Sequence, residues 1–173
     1  LNRPGFFNGS GMPMRFADLD GTLIDVYQAA TQMTDESGQE YPFTVDTLLD
    51  RALGTEAYYG AFTVNAHTDV AQTPESDAVL ASALARGVPI VTSRQMLEWL
   101  DGRNGSSFGS ITWDGQTQTL SFTVTTAAGA NGLQALVPLQ KDAGVVNDVT
   151  LNGATIPYAF ASRKGVEYAS FPA

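Results

Sequence analysis

Cysteine is absent from this chain, histidine occurs once, and lysine occurs twice, both late, at Lys141 and Lys164. Without cysteine there is no disulfide, no thiolate nucleophile and no cysteine-based zinc site. With His67 as the one imidazole, a self-contained zinc site is argued against as well, because such a site draws three protein ligands from His, Asp and Glu; no metal site is assigned, and no cofactor is specified. Cations are scarce overall. Nine Lys and Arg face eighteen Asp and Glu for a formal net charge of −9, which argues against nucleic acid and anionic membrane as partners, since phosphate binding needs clustered positive charge. No apolar run approaches the roughly 18 residues of a membrane span, and no signal peptide is visible.

What is present suits folded protein. The 173 residues are 43% hydrophobic, enough for one generous domain or two small ones. An acidic, lysine-poor composition rich in Thr, Ser, Gly and Asn is common in secreted bacterial proteins, so a secreted or extracellular location is expected. The chain begins with Leu1 and not with Met, which fits a piece of something longer.

The stretch around which the rest is arranged is Tyr58–Asp69, a buried strand expected over Tyr59–Ala66 that ends by presenting His67 between Asn65 and Asp69. Before it, residues 1–21 are loop-rich in Gly and Pro. Leu23–Tyr27 is a short strand, Gln28–Pro42 a polar loop, and Phe43–Leu53 a helix with Thr44 as its N-cap and Gly54 at its end. After it, a helix is expected from Ser76 or Asp77 to Arg86, closed by Gly87. A buried strand over Val88–Val91 follows, then a helix capped by Thr92 or Ser93 and carrying Met96, Leu97 and Leu100. Strand alternating with helix from residue 23 to 101 implies parallel strands joined by crossovers.

Beyond Gly102-Arg103-Asn104-Gly105 the pattern changes to short strands at Ile111–Trp113, Leu120–Thr125, Leu133–Leu139, Val145–Leu151, Ile156–Ala161 and Val166–Phe171. Turn signals separate them at Asp114-Gly115, Gly129–Gly132, Asn152-Gly153 and Lys164-Gly165. The expected fold class is therefore α/β plus all-β: a partial parallel β/α, barrel-like segment over residues 1–104, then a small antiparallel, Ig-like β-sandwich over residues 105–173. Trp113, Tyr158, Phe160 and Tyr168 are expected mostly in its core, with sugar stacking as the alternative. Three parallel strands can neither close a barrel nor cover a sheet. Either the first part is the C-terminal portion of a larger α/β domain whose N-terminal half is missing, or it packs heavily on the sandwich.

Two local patterns carry chemistry. Asp18-Leu-Asp20-Gly21-Thr22-Leu23-Ile24-Asp25 resembles the first motif of haloacid dehalogenase-like phosphohydrolases. The resemblance implies Asp18 as nucleophile, Asp20 as general acid/base and a bridging Mg²⁺. Val91-Thr92-Ser93 could imitate the second motif; the lysine of the third has no match before Lys141, and Asp142 and Asp148 lie in the β-rich part. The bland alternative is an Asp/Gly-rich turn joining two extended segments.

Phe62-Thr-Val-Asn-Ala-His67, the helix ending Ala83-Leu-Ala-Arg-Gly87, Val88-Pro-Ile-Val91-Thr92 and Ser93-Arg-Gln-Met-Leu-Glu-Trp-Leu100 together resemble the end of a polysaccharide deacetylase-like (NodB-type) domain. That resemblance implies that His67 is catalytic, helping to protonate the leaving amine. The family's early Asp-Asp pair and metal-binding histidines are not in this chain. The alternative for His67 is a neutral, hydrogen-bonded histidine at a strand end. Asn65 and Asp69 could share its mouth, since alternate strand residues face one way, and the Thr34-Asp35-Glu36-Ser37 loop would reach the same end, offering Asp35. Asn65, Asp69 and Asp35 are thus the candidate substrate-binding residues. The partner expected is carbohydrate, met through the parent protein, together with that protein's missing N-terminal half. Three functions follow: part of a secreted carbohydrate-active deacetylase or hydrolase without a complete active site of its own, a non-catalytic carbohydrate-binding or surface-interaction module, or a Mg²⁺-dependent phosphohydrolase.

Overall fold

The computed structural model describes residues 12–36, 38–57, 60–141 and 144–173, which fall into two compact units that part between Ile90 and Val91. Most of the loop-rich first stretch, together with Ser37, Tyr58, Tyr59 and Asp142, lies outside the described residues.

In the first unit, β1 (Met14–Ala17) and β2 (Leu23–Gln28) pair antiparallel. The Asp18–Thr22 stretch turns the chain between them: Asp18 N donates to Thr22 O at 2.8 Å, and Gly21 takes φ +87°. Asp and Gly at such positions favour reversal. Leu23–Tyr27 is therefore a strand, but a hairpin strand and not the first of a parallel series. The parallel pairing lies one strand later. β3 (Thr31–Thr34) sits inside the expected polar loop; α1 (Phe43–Leu53) carries the chain over, and β4 (Thr63–Asn65) pairs parallel to β3. This β-α-β unit is the whole of the parallel sheet among the described residues, and they form no closed barrel. Among the described residues of the expected Tyr59–Ala66 strand, only Thr63–Asn65, β4, is strand.

α1 forms because Val45, Leu48 and Leu49 recur at helical spacing and bury one face. Pro42 and not Thr44 precedes it; the Thr44 hydroxyl donates instead to Glu40 O at 2.8 Å. α2 (Pro74–Ala85) starts earlier than Ser76 because Thr73-Pro74 is the stronger start: Thr73 Oγ1 accepts from Ser76 N at 3.1 Å, and proline needs no helical partner in the first turn. Gly87, at φ +64°, follows it. Met33 of β3 meets Val45, Leu48, Leu49 and Ala83 in a small core, with Tyr41, Phe62, Val79 and Val88 packed around it. Arg86 clamps the two helices, its Nη1 2.8 Å from Asp46 and its Nε 2.6 Å from Asp50. Val88–Val91 forms no strand: Val88 N donates to Ala83 O at 2.9 Å, which holds the segment to the end of α2, and Ile90 and Val91 are exposed.

The second unit begins with α3 (Ser93–Gly105), capped by Thr92 and Gln95 in a reciprocal box. β5 (Ser107–Asp114) and β6 (Thr119–Thr125) form a hairpin. β7 (Gln134–Pro138) is followed by the short pair β8 (Gln140–Lys141) and β9 (Gly144–Val145), and by the hairpin β10 (Val149–Leu151) and β11 (Ala154–Ile156). β12 (Ala159–Arg163) and β13 (Val166–Pro172) join β7 in an antiparallel sheet ordered β12-β13-β7. Asn152-Gly153 and Lys164-Gly165 have positive φ at both residues, 51° and 81° in the first and 51° and 79° in the second; such mirror-image turns match strand twist in tight hairpins. Phe122 of β6 stacks on Phe171 of β13 with ring centroids 6.5 Å apart. Trp113 and Phe160, expected mostly as core, are 45% and 74% exposed. Across both units the fold is α/β with strands predominating, and the sheets are small and mostly antiparallel.

The units part at Ile90 and not at the residue-104 change of pattern because α3 is seated on the loop after β6. Ser106 Oγ donates to Gly102 O at 2.7 Å and accepts from Ala127 N at 3.0 Å, and Trp99 Nε1 donates to Asn131 O at 3.3 Å. A Cβ on Gly102 would collide with the backbone of Ala128, Gly129 and Ala130; one on Gly129 would strike the carbonyl of Glu98. Backbone cannot swing aside as a flexible side chain can, so Gly102→Ala is expected to destabilise the second unit by about 1–3 kcal/mol, the usual range for overpacking. A urea midpoint equal to that of the unaltered protein would contradict this seat.

Candidate functional site

Because β3 and β4 run parallel, their carboxyl ends lie side by side, which is where open α/β sheets gather their chemistry. The register sets Thr34 against Asn65, and one residue further Asp35 N donates to Asn65 O at 3.4 Å. Asp35 and His67 therefore leave adjacent strand ends within reach of each other.

Asp35 holds His67 at two points. One carboxylate oxygen accepts the His67 backbone N–H at 2.8 Å; the other lies 2.9 Å from Nδ1. Thr34 Oγ1 adds a donor to the second oxygen at 3.3 Å. The Asp35 side chain is only 9% exposed, whereas the imidazole is 44% exposed. The Nδ1 edge of the ring is thus anchored, and the side chain as a whole stays partly exposed. Since an ionised carboxylate only accepts, Nδ1 carries the proton and Nε2 is the exchanging position. Glu36 Oε1 stands 3.8 Å from Nε2.

The charges follow from these contacts. Asp35 is held below the ordinary carboxylate pKa, chiefly by the His67 backbone N–H and then by the ring. His67 is raised above 6.5, first by its bond to Asp35 and then by the nearby charge of Glu36, with a smaller push from Asp69 and partial opposition from burial. The neighbouring carboxylates thus favour the protonated ring over the neutral one, relative to a free histidine.

Of the candidate residues, His67 and Asp35 are in direct contact. Asn65 enters through its main-chain carbonyl, and exposed Asp69 acts through its charge alone. Glu36 comes from the acidic Thr34-Asp35-Glu36-Ser37 run expected at this end, whereas Gln32, Gln39 and Tyr41 were not singled out by their positions in the chain. Glu36 faces Nε2. Gln32 accepts from Thr63 N at 2.7 Å through Oε1, while its buried Nε2 has no partner among the described residues. Gln39 and Tyr41 reach back to β3. None stands at a motif spacing; they meet because the chain doubles back after β3. Asp18 and Asp20 lie elsewhere, in the exposed turn of the β1–β2 hairpin, with their carboxylates accepting from Leu19 N at 2.7 Å and Thr22 N at 2.9 Å. Thr92 spends its hydroxyl on the α3 cap. Asp148 is exposed.

Comparison with protein-family models, curated proteins and solved structures finds no match for this chain. What the site can do is set by its own geometry. Among the described residues no three or more His, Asp or Glu side chains gather to hold a metal ion, so they do not fit the metal that the deacetylase resemblance implies. An imidazole anchored at Nδ1 can give a proton to, or take one from, a group placed at Nε2.

Asp35→Asn is expected to move the NMR titration midpoint of His67 downward, since it removes the charge and the strongest bond favouring the imidazolium. Linkage fixes the accompanying stability effect. A raised histidine contributes stability that is full below its unfolded pKa and lost as pH rises through its folded one; a depressed carboxylate contributes above its unfolded pKa and loses that as pH falls through its folded one. The stability gap between the unaltered protein and Asp35→Asn should thus narrow as pH rises through the His67 midpoint, and urea denaturation at several pH values checks it.

Proposed function

We propose that this chain belongs to a secreted, carbohydrate-active hydrolase of the polysaccharide deacetylase type, in which His67 is the proton donor and Asp35 orients it. One observation carries the reading: the two-point hold of Asp35 on the partly exposed His67 at the carboxyl ends of parallel strands, with Nε2 facing Glu36 across 3.8 Å. In this reading β3, α1, β4 and α2 are the late part of a larger β/α barrel, and the strands of the second unit are an appended Ig-like sandwich. The groups that bind the rest of the sugar and activate water come from the parent protein's other half.

The chemistry is amide hydrolysis. Water adds to the acetyl carbonyl, the C–N bond breaks, and the leaving amine needs a proton, which His67 Nε2–H supplies. The Asp35 and Glu36 carboxylates raise the His67 pKa and so favour the protonated form that a general acid uses.

A non-catalytic carbohydrate-binding module is the second reading, favoured by the exposure of Trp113 and Phe160, since an aromatic ring can offer an apolar surface to a sugar. Phosphoryl transfer at Asp18 has less support, because Asp18 and Asp20 already accept from their own turn.

Acetate release from N-acetylglucosamine oligomers by the parent protein separates these readings. His67→Ala is expected to lower kcat by about 10²- to 10⁴-fold, the usual worth of a positioned acid. Full activity in that variant would remove His67 from the mechanism. Calorimetric binding of the same oligomers by the isolated chain, abolished by Phe160→Ala, would favour the binding module instead.

A further inference from the structure

A four-residue strand bearing one buried apolar residue is a weak platform for a catalytic pair, and its outer edge shows how it is held. In a strand, backbone groups alternate between the two edges as side chains alternate between faces. Thr31 and Met33 of β3, and Asp35 just beyond it, address β4, as the register and the Asp35–Asn65 bond record. Gln32 and Thr34 address the opposite edge, where a further strand would bridge Met33 by donating to Gln32 O and accepting from Thr34 N.

The side chain of Gln39 makes those two bonds. Its Nε2 donates to Gln32 O at 2.9 Å, and its Oε1 accepts from Thr34 N at 3.4 Å. The Tyr41 hydroxyl steadies the amide, 3.0 Å from Gln39 Oε1 and 3.4 Å from Thr34 O. A carboxamide has one donor side and one acceptor side, as a peptide group does. Glutamate, isosteric but without the donor, could not complete the pattern.

We propose that Gln39 is a positioning residue for the Asp35–His67 pair, its amide standing in for a neighbouring strand at the end of β3. The bonds it makes fix the backbone on both sides of Met33 and, through Thr34, the take-off of Asp35. The Thr34 hydroxyl then reaches both the Asp35 carboxylate, at 3.3 Å, and Glu36 N, at 3.4 Å. The groups facing the imidazole are Asp35 and Glu36 from the end of β3 and Asp69 from its own loop, so a shift at the end of β3 changes two of the three. A merely structural glutamine would affect stability and leave the ring's surroundings alone.

This inference rests on the general-acid reading for its catalytic meaning, but its test is made without turnover. The ring ¹⁵N shifts and titration midpoint of His67, and amide exchange at Thr34, are compared in the unaltered protein, Gln39→Leu, Gln39→Glu and Tyr41→Phe. Gln39→Leu is expected to lower the His67 midpoint and to reduce Thr34 protection by about tenfold, the loss of one hydrogen bond. Gln39→Glu should fail to restore either. Tyr41→Phe, which leaves the amide in place, should shift His67 the same way by less, and it serves if Gln39→Leu does not fold. Unchanged His67 shifts in every variant that folds would overturn the proposal. If His67→Ala leaves acetate release intact while Gln39→Leu moves the His67 midpoint, the general-acid reading fails and the positioning role stands.

Discussion

The burial of Met33 is what the first unit hangs on. β3 reads Thr-Gln-Met-Thr, and its methionine, 2% exposed, is its one apolar side chain. Drawn into the core of α1 and α2, that side chain decides which face of the strand turns inward. The strand's edges follow from the same orientation: one runs beside β4, the other meets Gln39. A buried methionine cut back to alanine costs about 2–5 kcal/mol, a large fraction of the roughly 5–15 kcal/mol by which folded proteins are stable. The position of Asp35, two residues on, inherits that anchoring.

The contacts that hold His67 also set what kind of acid it can be. Carboxylates near both ring nitrogens raise its pKa, which increases the fraction of molecules ready to donate, yet each step upward in pKa makes the donor intrinsically weaker. Arg86 follows the same habit, gathered between Asp46 and Asp50 and raised by them. In a chain this acidic, positive charge is placed against more than one carboxylate, in a structural clamp in one case and at a partly exposed ring in the other.

How much was legible in the chain divides along the range of the forces involved. α1 has the expected span because its apolar residues recur at helical spacing, and the cap of α3 and the turns at Asn152-Gly153 and Lys164-Gly165 came through because local chemistry decides them. β3 was hidden, since a polar strand shows no periodicity and exists here through Met33, Gln39 and β4. Val88–Val91 read as a strand on composition, but its first residue is bonded to the end of α2. The direction of Leu23–Tyr27 depended on whether Asp18–Thr22 turned the chain back, and it does. At the site, Asp35 and His67 stood out as chemistry-bearing residues beside apolar runs. Their two-point contact depends on the parallel register of β3 and β4, which no local pattern reports.

The seat of α3 has a bearing on descent. Most of this chain's surface could drift without altering its fold, but where helix and loop run backbone against backbone there is no room for even a methyl group. Gly102 and Gly129 are thus a pair that substitution must leave alone together, or release together by lifting the helix. A distant cousin that kept this helix-on-loop arrangement would keep both glycines after overall identity had faded, and a side chain at either position in an unchanged seat would contradict the account. For kinship too remote for whole-sequence resemblance, that pair is the mark to look for.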